Sequence, residues 1–86
     1  MTSPTFELTA HAATAIAKRG IDPQWVGRVL SRPERVEPHV SDTTLRHALA
    51  RIPERSDRVL RGVYNAEVNP PRVVTAYFDR RQRGKL

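Results

Sequence analysis

The sequence predicts an α+β domain in which a helical hairpin packs on one face of a four-stranded antiparallel β-meander. Two helix-forming stretches come first, and from Glu34 onward the chain consists of short apolar runs broken by Pro, Ser, Asp and Asn. A hydrophobic fraction of 38% in 86 residues supplies a single core, so residues 1–86 form one domain. Because such a core is too small to enclose a large cavity, we expect any functional site to be a surface groove.

The first helix is predicted over residues 10–19, which are rich in alanine. Thr9 is a good N-cap for this segment, and Gly20 is typical of the position just after a helix C-terminus. Residues 6–8 form a short possible strand before the helix. We therefore expect the Thr9 side chain to accept a hydrogen bond from the first turn of this helix.

The second helix is predicted to begin at Asp22, which caps it, with Pro23 in the first helical position. Apolar residues then recur at helical spacing until Pro33 ends the segment. Trp25 lies in this apolar stripe, and we expect it to be a core residue rather than a platform for stacking bases.

Four strands are predicted after the helices, over residues 34–40, 44–52, 58–64 and 72–78. The segment 44–52 also has apolar residues at helical spacing, so a helix stays an alternative there. We predict a strand because the segment is short and lies where the meander needs one. Residues 65–71 form the loop between the last two strands.

Side-chain alternation on the last strand assigns Val74, Ala76 and Phe78 to the core. Thr75 and Tyr77 then lie on the opposite face, which we expect to be open to water. For residues 58–64 both alternating sets are apolar, so the sequence does not decide which of them faces the core.

The formal net charge of +6 belongs entirely to the second half of the chain. Residues 1–43 carry five basic and five acidic side chains, whereas residues 44–86 carry ten basic and four acidic ones. Nearly all the basic residues are arginine, whose planar guanidinium binds phosphate through two hydrogen bonds. This favours a polyanionic partner, with RNA first and an acidic protein second; the alternative is a codon bias toward arginine on solvated strands.

Several function classes lack their sequence signatures. The chain has no cysteine and no P-loop, GxGxxG, HExxH or paired-carboxylate motif, so we expect neither a cofactor nor a metal. It shows no signal peptide and no membrane-spanning segment, which predicts a cytoplasmic protein without a membrane partner. Residues 1–5 and 80–86 are expected to be flexible, and the basic tail is expected to raise nonspecific affinity for nucleic acid.

The block LTAHAATAIAKRGID resembles the signature of a small bacterial family of unassigned function, in which an HA pair opens the first helix and an Arg-Gly-Ile run closes it. The helix ending near Pro33 and the strand VVTAY are also similar to that family. Its layout resembles the RelE, ParE and BrnT toxins, within the group of metal-independent ribonuclease folds that includes barnase, EndoU and colicins. The resemblance implies a RelE-like fold. At Ala15 this chain departs from a position that is often basic in the family.

Cleaving RNA without a metal requires a group that removes the 2′-hydroxyl proton, a group that protonates the 5′-oxygen, and cations that stabilise charge on phosphorus. We take His11, Arg46 and Thr75 as the candidate catalytic residues. His11 lies in the first turn of the first helix and flanks the core rather than entering it. Its alternative role is that of a polar residue that orders the N-terminus.

The candidate substrate-binding residues are Arg19, Arg58, Arg61 and Tyr77. The two strand arginines lie beside the last strand, where a tyrosine ring can stack on a base. Arg19 has an alternative structural role, because it ends the first helix and can bind the helix carbonyls or Asp22.

Two functions from different classes follow. The first is a toxin-type ribonuclease that an antitoxin protein neutralises. The second is a noncatalytic module that binds RNA or an acidic protein on the same basic surface. Fold resemblance alone does not choose between them.

Overall fold

The computed structural model describes residues 6–86 and consists of two α-helices and a five-stranded sheet. Residues 1–5, which we expected to be flexible, lie outside the described residues. Neither helix, at nine residues each, is long enough to cross a lipid bilayer. In chain order the elements are β1 (Glu7–Leu8), α1 (Ala10–Lys18), α2 (Pro23–Ser31), β2 (Arg35–Pro38), β3 (Leu45–Ile52), β4 (Arg58–Asn65) and β5 (Arg72–Phe78), with short 3-10 turns at Pro53–Arg55 and Arg80–Gln82.

Both helices begin at the predicted caps. The Thr9 hydroxyl accepts a hydrogen bond from the backbone N–H of Ala12 at 3.0 Å, and the Asp22 carboxylate accepts one from Gln24 at 2.8 Å. Gly20 follows α1 with a φ of +64°, a conformation in which a residue with a Cβ atom would be strained. The two helices predicted from the sequence are thus confirmed.

The sheet has the strand order β1-β5-β4-β3-β2. Strands β2 to β5 form the predicted antiparallel meander, and residues 44–52 are a strand rather than a helix because β3 pairs on both sides. The predicted sheet of four antiparallel strands is incomplete, since β1 adds a fifth strand that runs parallel to β5. The sheet is therefore mixed, within an architecture that is α+β as predicted.

The main core lies between the helices and one face of the sheet. Gly62 lets α2 approach β4 closely, because a Cβ atom there would lie 3.3 Å from the Cδ1 atom of Leu30. Burying these side chains is the main stabilising contribution in a chain without disulfides. The buried residues of this core are Ala12, Ile16, Ile21, Val26, Val29, Ala48, Ala50, Ile52, Leu60, Val73 and Ala76.

The opposite face of the sheet is buried at its centre, which corrects the expectation that it is open to water. Leu49, Val59, Arg61 and Val63 are each at most 6% exposed on that face. The C-terminal segment 79–86 contributes to this cover, because its 3-10 turn packs on β4 and the Gln82 side chain hydrogen-bonds Arg35 on β2. Because β4 is buried on both faces, the alternation of apolar residues along it did not show which face packs on the helices.

A β-bulge in β5 corrects the predicted core face of that strand. Thr75 pairs with Val63 and Val73 pairs with Tyr64, so Val74 is the extra residue between them. The bulge shifts the alternation by one position, which buries Val73 instead of Val74 and leaves Ala76 in the core as predicted.

Candidate nucleic-acid interface

A surface groove with a volume of about 430 Å³ runs along the C-terminal end of β5. Four arginine side chains line this depression and a smaller one that adjoins it, and we call the whole the arginine groove: Arg19, Arg58, Arg80 and Arg83. Tyr77 and Phe78 supply aromatic rings to the same walls. The fold therefore collects cations from α1, β4 and the C-terminal segment around the end of one strand.

The Phe78 ring lines the arginine groove, and the Arg58 guanidinium lies over this ring. The guanidinium carbon of Arg58 lies 4.5 Å from the ring centroid of Phe78. On the other side Phe78 packs against Trp25, with ring centroids 6.4 Å apart, and Arg55 lies 5.8 Å from the Phe78 ring. These contacts hold Arg58 over the ring by cation–π attraction.

Arg19 reaches the groove from the end of α1 by crossing the open edge of β5. Its guanidinium donates a hydrogen bond to the carbonyl oxygen of Ala76 at 2.8 Å and another to the Thr75 hydroxyl at 3.3 Å. This edge is free because β1 pairs only with the first two residues of β5. The expected structural role of Arg19, binding the α1 carbonyls or Asp22, is thus replaced by a contact with the sheet.

The groove arginines differ from most of the other arginines within residues 6–86 in their pairing, because six of the other nine form ion pairs and Arg32, Arg46 and Arg55 do not. Within residues 6–86, none of the four forms an ion pair with a carboxylate. Elsewhere six arginines do so: Arg28, Arg35, Arg51, Arg61, Arg72 and Arg81. No carboxylate in the described residues therefore competes with an external anion for these guanidinium groups, although Arg19 donates to Ala76 and Thr75.

Arg61 is the centre of a buried polar network on the sheet face away from the helices. Its guanidinium contacts the Asp79 carboxylate at 2.9 Å and the Glu37 carboxylate at 3.0 Å. Burial disfavours the charged form of Asp79, but hydrogen bonds from Arg61 and from the Arg81 backbone outweigh this effect and hold the pKa of Asp79 below its ordinary value. Asp79 also contacts the groove, so the network and the groove share a wall.

Two histidines extend this network toward the edge strand β2. His47, on β3, lies 2.8 Å from Arg61 through Nδ1 and 2.8 Å from His39 Nδ1 through Nε2. Burial, with the adjoining charge of Arg61, holds the pKa of His47 below its ordinary value. His47 is therefore neutral at pH 7.

The structure brings most of the predicted substrate-binding residues together. Arg19, Arg58 and Tyr77 line one depression of the arginine groove. Arg61 is the direct cross-strand neighbour of Tyr77, but its side chain is buried and committed to carboxylates. Their roles in binding substrate stay predictions.

The three predicted catalytic residues do not form one cluster. His11 is exposed on the first turn of α1, and Arg46 is exposed on β3, two strands away from β5. Thr75 lies on β5, where Arg19 donates to its hydroxyl. No single substrate atom is surrounded by all three side chains, and their catalytic roles stay predictions.

Sequence reasoning missed the His39–His47 contact and the contribution of Arg80 and Arg83 to a defined groove. The histidine contact depends on the register of the β2–β3 hairpin, in which Glu37 pairs with His47 and Pro38 with Arg46. A hairpin centred on the SDT turn at residues 41–43 was the available signal, because it brings residues 39 and 47 to opposite sides of one turn.

The fold and the groove together define a small α+β protein with two helices on a five-stranded mixed sheet and an arginine-lined surface groove. The chain belongs to the family described as domain of unknown function DUF4258, which matches residues 8–78. The match covers both helices and the antiparallel meander and ends before Arg80 and Arg83. Searches of curated proteins and of solved structures found no match.

Proposed function

We propose that this chain is a toxin-type ribonuclease that holds single-stranded RNA in the arginine groove and cleaves it without a metal ion or cofactor. The observation that carries the proposal is that Arg19, Arg58, Arg80 and Arg83 line one groove, with no carboxylate partner in the described part of the chain. Such guanidinium groups bind phosphate oxygens bidentately.

The aromatic rings of the groove support RNA over an acidic protein. Single-stranded nucleic acids are bound by cations that follow the backbone and by rings on which the bases stack. Tyr77 lies among the groove arginines as the ring on which a base can stack, whereas the Phe78 ring is covered by the Arg58 guanidinium and helps to hold that cation in the groove. An acidic peptide would use the charges but has no need of the rings.

Cleavage requires imidazole or another proton-transferring group near the bound phosphate. The chain offers imidazoles in two places, His11 on α1 and the His39–His47 pair on the opposite face of the sheet. The helical hairpin followed by antiparallel strands resembles the RelE, ParE and BrnT layout, which supports a ribonuclease lineage. An acidic antitoxin would neutralise such a protein in the cytoplasm by covering the same arginines.

A noncatalytic RNA-binding module is the second candidate. The observation that favours it is the separation of His11, Arg46 and Thr75, which leaves the predicted catalytic set without a common reacting atom. Binding in the arginine groove does not depend on these three residues.

RNA binding is tested by titrating a fluorescent single-stranded RNA with the purified chain at several salt concentrations. The log–log slope of affinity against salt is expected to be steep and to fall by about 1.4 in Arg58→Gln/Arg80→Gln, since each lost phosphate contact on a single strand removes roughly 0.7. Arg51→Gln/Arg72→Gln is the matched control, because it also removes two charges, both outside the groove. A salt-independent parent, or equal slopes in all three proteins, would refute the groove as the RNA site.

Cleavage is tested on total RNA at pH 7 with EDTA and with any partner protein removed. If His11 transfers a proton, His11→Ala lowers the rate by about 10²-fold or more while the unfolding midpoint stays close to that of the parent. Thr75→Val and Arg46→Gln are expected to have smaller effects. RNA binding without cleavage in the parent would establish the noncatalytic module instead.

A further inference from the structure

Three side chains, one on β4, one on β3 and one directly after β2, form a continuous hydrogen-bonded chain that ends at the protein surface. Arg61 on β4 contacts His47 on β3, and His47 contacts His39, which directly follows β2. The two imidazole rings lie with centroids 5.1 Å apart and planes inclined by 33°. His39 is half-buried, so its outer edge reaches solvent.

The chemistry of Arg61 determines where each proton of this chain lies. A guanidinium only donates hydrogen bonds, so the Nδ1 atom of His47 must be the acceptor. A neutral His47 then carries its proton on Nε2 and donates it to Nδ1 of His39. The proton of His39 is consequently on its own Nε2, the nitrogen that faces away from the pair.

The surrounding charges keep this arrangement in place. Glu37 and Asp79 both contact the Arg61 guanidinium, and Arg35 contacts Glu37 at 3.0 Å. Protonating either imidazole would put a donor against a donor, at His47 Nδ1 or between the two rings. The remaining ionisable groups nearby are Tyr77, which is the cross-strand neighbour of Arg61, and Asp42 in the β2–β3 loop.

We propose that His39 binds a phosphoryl oxygen of RNA as an uncharged hydrogen-bond donor, held in a single tautomer by His47 and Arg61. This proposal rests on the proposed RNA-binding function and adds a second contact point on the sheet face away from the helices. His39 follows the edge strand β2, which is three strands away from β5 in the sheet. Three strand spacings of about 4.8 Å give a separation of roughly 15 Å. A neutral imidazole N–H donates a hydrogen bond to an anionic oxygen and keeps its proton.

The tautomer is tested first by ¹⁵N NMR of the imidazoles in the full chain at pH 7.5. We expect His39 and His47 both to carry their proton on Nε2, and we expect His47→Phe to let His39 populate both tautomers. A proton on Nδ1 of His39 in the parent chain would overturn the proposal. The measurement needs no RNA and no intact catalysis.

Ligand contact is tested by adding single-stranded RNA to the same labelled sample and measuring affinity between pH 6.5 and 8.5. The Nε2 signal of His39 is expected to shift, and His39→Phe to bind about tenfold more weakly. The affinity of the parent should stay level across this range, whereas binding by an imidazolium would be lost as the pH rises.

The outcomes separate the two proposals. If Arg58→Gln/Arg80→Gln weakens RNA binding and His39→Phe does not, the groove stands and the role of His39 is refuted. If the parent binds no RNA at low salt, both proposals fall, whichever tautomer is observed. If His39→Phe is poorly folded, an unshifted Nε2 signal in the parent on adding RNA still refutes the contact.

Discussion

Arg61 and the arginines of the groove lie near one another and have opposite environments. Arg61 is 6% exposed and contacts two carboxylates and an imidazole, whereas Arg19, Arg80 and Arg83 are exposed and have no carboxylate partner among residues 6–86. Asp79 separates the two regions, since its carboxylate faces Arg61 while the residue also contacts the groove. The same residue type is therefore used for internal pairing in one region and left unpaired in the next.

This difference shows that net charge alone does not identify a binding surface. Of the ten basic residues that produce the charge excess, those paired with carboxylates contribute little field to a ligand. The groove arginines have no carboxylate partner among residues 6–86, and Arg19, Arg80 and Arg83 hold their charge close to solvent. Three predictions test the comparison.

The largest effect is expected from Arg61→Ala. The substitution leaves the buried Asp79 carboxylate without its main partner, and breaking a buried ion pair in this way costs about 3–5 kcal/mol. Urea denaturation measures the change in the free energy of unfolding. Arg83→Ala is the control, because this groove arginine is exposed and has no ion pair within residues 6–86, and we expect a loss of about 0.5 kcal/mol or less. If the two substitutions changed the free energy of unfolding equally, burial would not distinguish Arg61 from the groove arginines.

A smaller effect is expected from acid through His47. Its folded-state pKa is below the ordinary value, so below about pH 6.5 the unfolded chain binds a proton that the folded chain does not. The free energy of unfolding should fall as the pH drops from 7 to 5, by no more than about 1.4 kcal/mol per pH unit for one proton. His47→Phe should flatten this dependence, and Arg58→Ala should retain it. A flat profile in the parent would contradict a buried neutral His47.

The smallest effect is expected at an exposed pair, Arg28 and Glu54. Hydrogen bonds from Arg28 lower the pKa of Glu54 to about 2, yet both side chains are more than 40% exposed. Exposed pairs contribute little to stability because solvent screens them. We expect Arg28→Gln to raise the Glu54 pKa, measured by carboxyl ¹³C NMR, without a resolvable change in the unfolding midpoint. A large destabilisation would contradict this and would show that the exposed pair stabilises the fold as the buried Arg61–Asp79 pair does.

Local sequence signals predicted the elements well because each has a local physical cause. Thr9 and Asp22 cap helices through contacts within three residues. Pro53 directly follows β3, and its effect on the backbone does not depend on which strands β3 pairs with. The faces of the strands were predicted less well. The bulge at Val74 depends on pairing with β4, and the packing of the C-terminal 3-10 turn on β4 depends on residues after the sheet; strand alternation contains neither.

The candidate site divides in the same way. Arg19, Arg58 and Tyr77 were found from residue type and position, and they share a groove. The internal pairing of Arg61 and the His39–His47 contact were not found, because they join residues 18 and 8 positions apart through sheet register. Pairing with carboxylates that are distant in sequence determines which basic residues can bind a ligand, and composition does not show this pairing.

The pairing of β1 with β5 has a consequence for the order of events during synthesis. Residue 7 pairs with residue 72, and α1 packs mainly on β5, so the first elements to leave the ribosome wait for the last strand. At roughly 5–20 residues per second, that delay lasts about 3–13 s. Until β5 emerges the nascent chain has neither Phe78 under Arg58 nor Asp79 beside Arg61. A chain that lacks β5 and the residues after it therefore has no assembled groove.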